Sequence, residues 1–576
     1  MFKDIRFWIK VAACAASAFL LWAAFPPRGE LYNVAFAIAP MLAMSRLSAR
    51  PGRTAAWWFA FGWAHWLAAL SWLPAISKNG GPLPLVLLGW AALAAACGGY
   101  FALFGWLDAR LWNGFAKRSR AAKIVVAVLA EPALWAGIEW MRATLFSGFA
   151  WNFLGTAIGG APSLTAPARL GGVYLLSALV VLLNGVFATL ICRIANQMTG
   201  DVEPGGGRGA ARIANLLETA LPLAVILLAL WCAPAAEHRE KDGTAYVPVK
   251  VALVQRNAPC FFSRAEREDP METYDRLLSA ASAAKPDLVV FAESAMTEFG
   301  RIGSEAARHA AQFLSKRCGD APVLAGGDWK TQEGRLWNAA ALWRFDDAAA
   351  TNSSLALQVY GKQHLVPFGE YIFFDKLIPP LQKLSPIGVS LWPGEAATLR
   401  LDIRRRGSGA PESAPTAEIE LAPLICYEDT DPRLSARAAR LGAQAIVLIT
   451  NDSWFSHSAE AEQHAAQALM RAVETGLPII RVGNSGVTGV ISHTGRARWL
   501  TDGEGRALVD AVGCQLETAF VPVDPQPTPY VRFGDWPMLA LFLLAAILSV
   551  VGNASRKSAP GMPPTKLYSA RARDLV

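Results

Sequence analysis

Charge is what this sequence is short of. Asp, Glu, Lys and Arg make up 17% of its 576 residues, against about 25% in typical soluble domains. That shortage excludes a chain that is ordinary soluble protein throughout. Metal-ligand spacing is lacking as well. The eight cysteines, at positions 14, 97, 192, 232, 260, 318, 426 and 514, form no CxxC pair and no Cys/His pattern. This excludes the common zinc modules and a disulfide framework. Cys14, Cys97, Cys192 and Cys232 lie in or beside apolar runs and read as small hydrophobes. A disulfide among Cys260, Cys318 and Cys514 stays open. The Gly-rich run at 205–209 lacks the GK[ST] ending of a phosphate-binding loop and reads as flexible chain. Basic residues do not interleave with aromatics. The net charge of +8 therefore predicts no nucleic-acid partner.

What the sequence has is apolar surface. Hydrophobic residues make up 53% and the mean hydropathy is +0.28. The 21 tryptophans fit a chain with membrane interfaces to cross. Seven apolar stretches precede residue 240, at 8–25, 31–46, 55–76, 84–107, 124–141, 170–192 and 215–236, and an eighth lies at 536–552. A helix needs about 20 residues to span a bilayer. The pattern predicts a multi-span α-helical membrane domain of about eight helices.

The loops carry the orientation. Lys3, Arg6 and Lys10 open the chain. Arg46, Arg50 and Arg53 crowd the second loop, and Arg110, Lys117, Arg118, Arg120 and Lys123 the fourth. Arg193, Arg208 and Arg212 follow in the sixth. The alternate loops carry only Arg28, Lys78, Arg142 and Arg169. By the positive-inside rule the N-terminus is cytoplasmic. An eighth crossing returns a basic tail (Arg556, Lys557, Lys566, Arg571, Arg573) to the same side. The first segment also has the charged start and apolar run of a signal peptide. Six further spans and the want of a clear cleavage signal favour a span.

The division that follows is a membrane domain over 1–245, a catalytic domain over 246–525, and a last helix with its tail over 526–576. The middle part alternates strand and helix signals. Val249–Gln255, Asp287–Ala292, Pro322–Gly326, Asn338–Phe345, Ala356–Tyr360, Ala417–Ile425 and Ala445–Thr450 read as strands. Asp269–Ala284, Ser304–Lys316, Pro432–Leu441 and Glu460–Thr475 read as helices. Such alternation predicts an α/β layer fold. Glu293, Lys362, Cys426 and Asn451 each follow a β-rich run, where active sites of α/β sheets form.

Taken singly, each of these residues reads as a surface charge or an inert thiol. Their surroundings say more: FAES at 291–294, YGKQHLVPFGEY at 360–371, LICYED at 424–429, NDSWF at 451–455 and GNSGVT at 483–488. These stretches resemble the carbon–nitrogen hydrolase, or nitrilase, superfamily, whose catalytic Glu, Lys and Cys occur in this order. The resemblance implies an α-β-β-α sandwich. Spans on either side of such a domain, with SGFAWNFLG at 147–155 and TPYVRFGDW at 528–536, resemble the apolipoprotein N-acyltransferases of the bacterial inner membrane. The resemblance departs after Pro259, where Phe261 and Phe262 stand in place of an alignable Trp. The polar run at 404–415 reads as a surface insertion.

The resemblance implies Glu293 as general base, Lys362 as oxyanion stabiliser and Cys426 as nucleophile, with Glu370, Tyr427 and Glu428 in support. It implies no cofactor and no metal. The implied partners are a phospholipid acyl donor, a diacylglyceryl-cysteine lipoprotein acceptor and the bilayer. The implied place is the inner membrane, with the catalytic domain periplasmic and both termini cytoplasmic. The segment 373–385 is apolar enough to dip into a membrane interface. His364 and His464 read as packing or hydrogen-bonding residues. Two rivals remain at this point. One is a membrane-tethered amidase or nitrilase acting on a soluble substrate. The other is non-enzymatic, a transporter or membrane scaffold with a degenerate soluble domain; for a transporter only Glu131 and Glu139, in or near the fifth span, offer intramembrane charge.

Overall fold

The computed structural model describes residues 2–199, 208–232, 245–259, 269–345, 355–372, 377–378, 390–403 and 417–554. Cys260, Phe261 and Phe262, the insertion 404–415, the basic tail and nearly all of 373–385 lie outside these residues. The chain divides into two compact units. One comprises Met1–Ser71, Leu87–Pro234 and Phe533–Val576, the other Trp72–Val86 and Ala235–Arg532.

The first unit is helical. Among the described residues, four apolar helices are long enough to cross a membrane: Arg120–Thr144 and Ala168–Met198 within this unit, and Pro51–Asn79 and Leu83–Lys117, which lie in it except for the part from Trp72 to Val86. Shorter apolar helices run over Phe7–Ala23, Leu31–Leu47, Leu216–Cys232 and Trp536–Val551. Helices suit a bilayer because each closes its own backbone hydrogen bonds. Trp58, Phe101, Phe104 and Trp135 interlock edge to face at the buried centre, with Trp58 and Phe104 ring centroids 4.9 Å apart.

The two acids of the fifth stretch are committed within this unit. Glu131 meets Arg46 at 2.5 Å and accepts from Trp112 at 2.9 Å. Glu139 accepts from the Leu154 N–H at 2.7 Å. Arg142 donates to the carbonyls of Phe149 and Trp151, at 2.7 and 2.6 Å. Glu139 and Arg142 thus hold the loop that carries SGFAWNFLG.

The second unit is built on two six-stranded sheets. In the first the order is β12 (Gly513–Pro522), β1 (Tyr246–Gln255), β2 (Leu288–Phe291), β3 (Val323–Lys330), β4 (Leu336–Phe345), β5 (Leu355–Gly361). In the second it is β11 (Ala497–Trp499), β10 (Gly489–Ile491), β9 (Ile479–Gly483), β8 (Ala445–Thr450), β7 (Ala417–Ile425), β6 (Leu399–Ile403). The strands β1, β2 and β3 pair in parallel, as do β7, β8 and β9. Parallel strands covered on both faces need apolar side chains on both, which explains unbroken runs such as AIVLIT.

The period of two sorts these residues into layers. Val251, Leu253 and Val290 face Leu421, Ile425, Val447 and Ile449 in one buried core between the sheets. Their neighbours Ala252, Val254, Val289 and Phe291 face Tyr274, Leu278 and Leu314 of the helices Pro270–Ser282 and Glu305–Arg317. On the other side Leu424, Ile446 and Leu448 pack on Ala468 and Ala472 of the helix Glu460–Thr475. The layers run helix, sheet, sheet, helix, as the resemblance implies. Cys318 and Cys514 are free thiols.

Trp72–Val86 belongs to this unit and not to the helical one. Trp72 donates to Gln463 at 3.1 Å and sets its ring edge-on to Phe455 at 4.7 Å. Asn79 donates to the Trp454 carbonyl at 2.9 Å. The chain that leaves the third apolar stretch is thereby fastened to the NDSWF turn.

Candidate active site

The ends of β2, β5 and β7 deliver Glu293, Lys362 and Cys426. Lys362 is 1% exposed and sits between two carboxylates, 2.9 Å from Glu370 and 3.8 Å from Glu293. Asn338, on β4, bridges the same pair, donating to Glu293 at 2.7 Å and to Glu370 at 2.8 Å. The second oxygen of Glu370 accepts from the Val366 N–H at 2.8 Å. Lys362 and both carboxylates beside it are thus held by hydrogen bonds or ion pairing, as a buried charge requires.

Cys426 follows β7 directly and opens the one-turn helix Cys426–Thr430. Its φ is +52°, a left-handed conformation that strains any residue with a Cβ. Ser294, next to Glu293, has φ +63°. Strain at two strand ends that face one another is the kind that surrounding structure must enforce.

One residue does much of the enforcing. Glu428 is fully buried and accepts from the Ile425, Gln363 and His364 N–H groups at 2.7, 2.6 and 3.2 Å, and from the Tyr360 hydroxyl at 2.9 Å. It therefore ties the chain just after Lys362 to the strand that ends at Cys426. Tyr427 packs its ring edge-on to His364 at 5.4 Å. Gly326, on β3, lies against the other strand end. A Cβ there would come within 2.6 Å of the Glu293 Cα, so only glycine lets β3 lie so close. Gly326→Ala is expected to displace Glu293, with a loss of stability of about 1–3 kcal/mol and a lower kcat. Thermal unfolding and turnover measured on the same preparation check this.

The electrostatics follow from burial. It pushes the Cys426 thiol well above its ordinary pKa, and the neighbouring Glu293 carboxylate pushes the same way. Burial raises Glu293 as well, against the pull of Lys362. Burial opposes the charge on Lys362, but Glu370 and then Glu293 outweigh it and hold the amine protonated. Glu428 is pushed up to about 7 by burial, with the N–H groups it accepts from working against the rise. The resting arrangement is a protonated thiol beside a carboxylate, with a cation held against that carboxylate. It suits a thiol nucleophile that gives up its proton only as it attacks.

The fourth polar strand end behaves differently. Asn451 accepts from Ser453 and Asn484. Its neighbour Asp452 reaches inward instead, to Thr450 at 2.7 Å and His464 at 3.0 Å. Sequence reasoning passed over Asn338, Tyr360 and Asp452. An Asn or Tyr within an alternating strand carries no local mark of function. Asp452 could have been suspected from its place in the quoted NDSWF motif. A cluster of Asp452, Glu460 and His464 has ligand atoms within 4.8 Å of one another. Both imidazole nitrogens already face carboxylates, and Arg481 supplies positive charge. These residues do not fit a metal.

Comparisons with known proteins match both parts of the chain. The apolipoprotein N-acyltransferase N-terminal domain matches residues 17–186, and the carbon-nitrogen hydrolase domain matches residues 250–526. An apolipoprotein N-acyltransferase of Geobacter metallireducens is 29% identical over 504 residues, 84% of this chain and 85% of that one. One of Vibrio parahaemolyticus is 25% identical over 569 residues, 95% of this chain and 98% of that one. Among solved structures, an amidase from Nesterenkonia sp. is 18% identical, with a TM-score of 0.31, over 49% of this chain and 92% of that one, too partial a likeness to bear on the chemistry. The chain thus carries an apolipoprotein N-acyltransferase N-terminal domain and a carbon-nitrogen hydrolase domain in order, and it is similar to apolipoprotein N-acyltransferases across most of its length.

Proposed function

We propose that the chain moves a fatty acyl group from a membrane phospholipid to the N-terminal α-amine of a diacylglyceryl-cysteine lipoprotein, through a thioester on Cys426. The observation that carries this reading is the buried group of Lys362, Glu293 and Glu370 at the strand ends beside Cys426. Cys426 Sγ attacks the ester carbonyl carbon while its proton passes to Glu293. The Lys362 ammonium stabilises the oxyanion. Collapse expels the lysophospholipid alkoxide, which takes the proton from Glu293. The acceptor amine then attacks the thioester, its proton goes to Glu293, and the departing sulfur recovers it as the amide forms. Asn338 and Glu370 hold the lysine and the base in register, and Glu428 holds the two strand ends together.

Among the described residues, four long and four shorter apolar helices coincide with the eight apolar stretches, which supports eight crossings. Alternation of basic loops supports a periplasmic catalytic domain and cytoplasmic termini. Such a site takes its donor from the bilayer and must keep water from the thioester. The test is transfer itself. Protein in vesicles of phosphatidylethanolamine, given a diacylglyceryl-cysteine peptide, should yield the N-acylated peptide. Release of free fatty acid without acylated peptide would count against transfer.

The pH dependence follows from the base. Glu293 must be ionised to take the thiol proton, and its pKa is raised by burial. Activity should therefore rise with pH through a midpoint above the ordinary carboxylate value of 4.5. The pH profile of kcat/KM for thioester formation reports this group in the free enzyme. A midpoint at or below that value would assign the base elsewhere.

A further inference from the structure

Behind Cys426 lies a ring of buried charge that the mechanism above does not use. His464, on the helix Glu460–Thr475, is 1% exposed. Its Nε2 lies 2.9 Å from Asp429 Oδ1 and 3.3 Å from the backbone carbonyl of Cys426. Its Nδ1 lies 3.0 Å from Asp452 Oδ1 and 3.6 Å from Glu460 Oε1. Arg481, from β9, closes the ring, donating to Asp429 Oδ2 at 3.2 Å and Asp452 Oδ2 at 3.4 Å. Gly486 makes room for it, since a Cβ there would fall 1.8 Å from Asp452 Oδ2.

A neutral imidazole has one N–H and one lone pair. With a carboxylate oxygen at hydrogen-bond distance from each ring nitrogen, the neutral ring would set a lone pair against an anion. The doubly protonated ring satisfies both contacts. Burial works against that charge, but Asp429 and Asp452 outweigh burial and the nearby Arg481, and the ring is pushed up to about 10. Glu460, the remaining carboxyl facing the ring, is pushed well up by burial and then by Asp452. That rise favours the protonated form of Glu460. On the Cys426 side the charged groups are Glu293 and Lys362.

We infer that His464 is a positioning residue for the reaction: as an imidazolium it shares its Nε2 proton between Asp429 and the Cys426 carbonyl, holding the nucleophile's peptide in its left-handed conformation and its sulfur toward the base. The inference rests on the reading of Cys426 as nucleophile. It goes beyond that reading by assigning the nucleophile's backbone a fixed cationic donor. Asp452 and Asp429 act through His464, and Arg481 acts through them.

The test is the reactivity of the Cys426 thiol toward iodoacetamide, followed by intact mass, beside kcat and KM for the phospholipid donor. In His464→Ala the donor to the carbonyl is lost. Alkylation of Cys426 and kcat should each fall about tenfold to a hundredfold, the range for removing a partner that orients a reacting group, with KM unchanged within about twofold. His464→Gln keeps a donor without the charge. It should recover part of the loss and show its alkylation profile moved to higher pH. If the Ala variant does not fold, the Gln variant carries the test by that shift. Alkylation and kcat both within about threefold of the parent in a folded variant would overturn the inference. Iodoacetamide reads the free Cys426 thiol in the absence of donor, whether or not that thiol is the group that later forms the acyl-enzyme. Transfer persisting in Cys426→Ala would sink the nucleophile reading, while the alkylation result in the His464 variants would still judge His464.

Discussion

Replacing Cys426 with Ala should abolish acyl transfer, by about four orders of magnitude or more, because no second nucleophile can take over a covalent route. The same change should leave the fold intact. The side chain removed is small and half-buried, and Ala meets the left-handed backbone of position 426 with the same Cβ. The site's polar frame does not pass through the sulfur. Lys362, Asn338 and Glu370 bond one another, and Glu428 bonds the backbone on either side. Loss of turnover at an unchanged melting temperature separates this outcome from unfolding. A Cys426→Ala protein that still acylates the acceptor would show that the thiol is not on the reaction path.

Lys362→Met should damage both activity and stability. The lysine neutralises two carboxylates, Glu293 and Glu370, that stay buried when it is gone. Breaking a buried charge group by removing one partner costs about 3–5 kcal/mol. Losing the oxyanion stabiliser should lower kcat about a hundredfold to a thousandfold. The pH dependence has a definite sign. Lys362 has its folded pKa raised above the ordinary 10.5, so its contribution is complete below that pH and is lost only as pH rises through the folded value. Glu293 has its folded pKa raised above 4.5. Its protonated form suits the fold, and stability from it is lost as pH rises through that raised value. Without Lys362 the rise is larger. The deficit of Lys362→Met against the parent should therefore shrink on acidification below neutrality and widen above it. Urea or thermal unfolding at a series of pH values reads this directly. A deficit independent of pH would mean that packing, and not charge, is what the lysine supplies.

Much of this arrangement was legible from residue order, for physical reasons. A parallel strand buried on both faces has to be apolar throughout, so LVVF, the LAPLI half of β7 and AIVLIT announce themselves, and the first polar residue after each marks where the sheet opens. That placed Glu293, Cys426 and the turn at Asn451. The elements not foreseen are β6, β9, β10, β11 and β12. They are short or run along the edges, where half-exposed side chains blur the period of two. The partners of the site were hidden for a different reason. Asn338, Tyr360, Asp452 and His464 act through distances set by sheet and helix packing, and neighbours in sequence say nothing about those distances. The helical unit shows a similar divide. Hydropathy found each apolar stretch, but the second is broken into Leu31–Val34 and Ala39–Leu47. The third runs on into a segment fastened to the catalytic unit.

The measurement that bears most directly on the central claim is the intact mass of the purified protein after incubation with phosphatidylethanolamine and no acceptor. The expected result is an added fatty-acyl mass that hydroxylamine removes, that is absent from Cys426→Ala, and that a diacylglyceryl-cysteine peptide discharges with formation of its amide. A protein that releases free fatty acid or acylates the peptide without ever carrying that mass would contradict a thioester on Cys426.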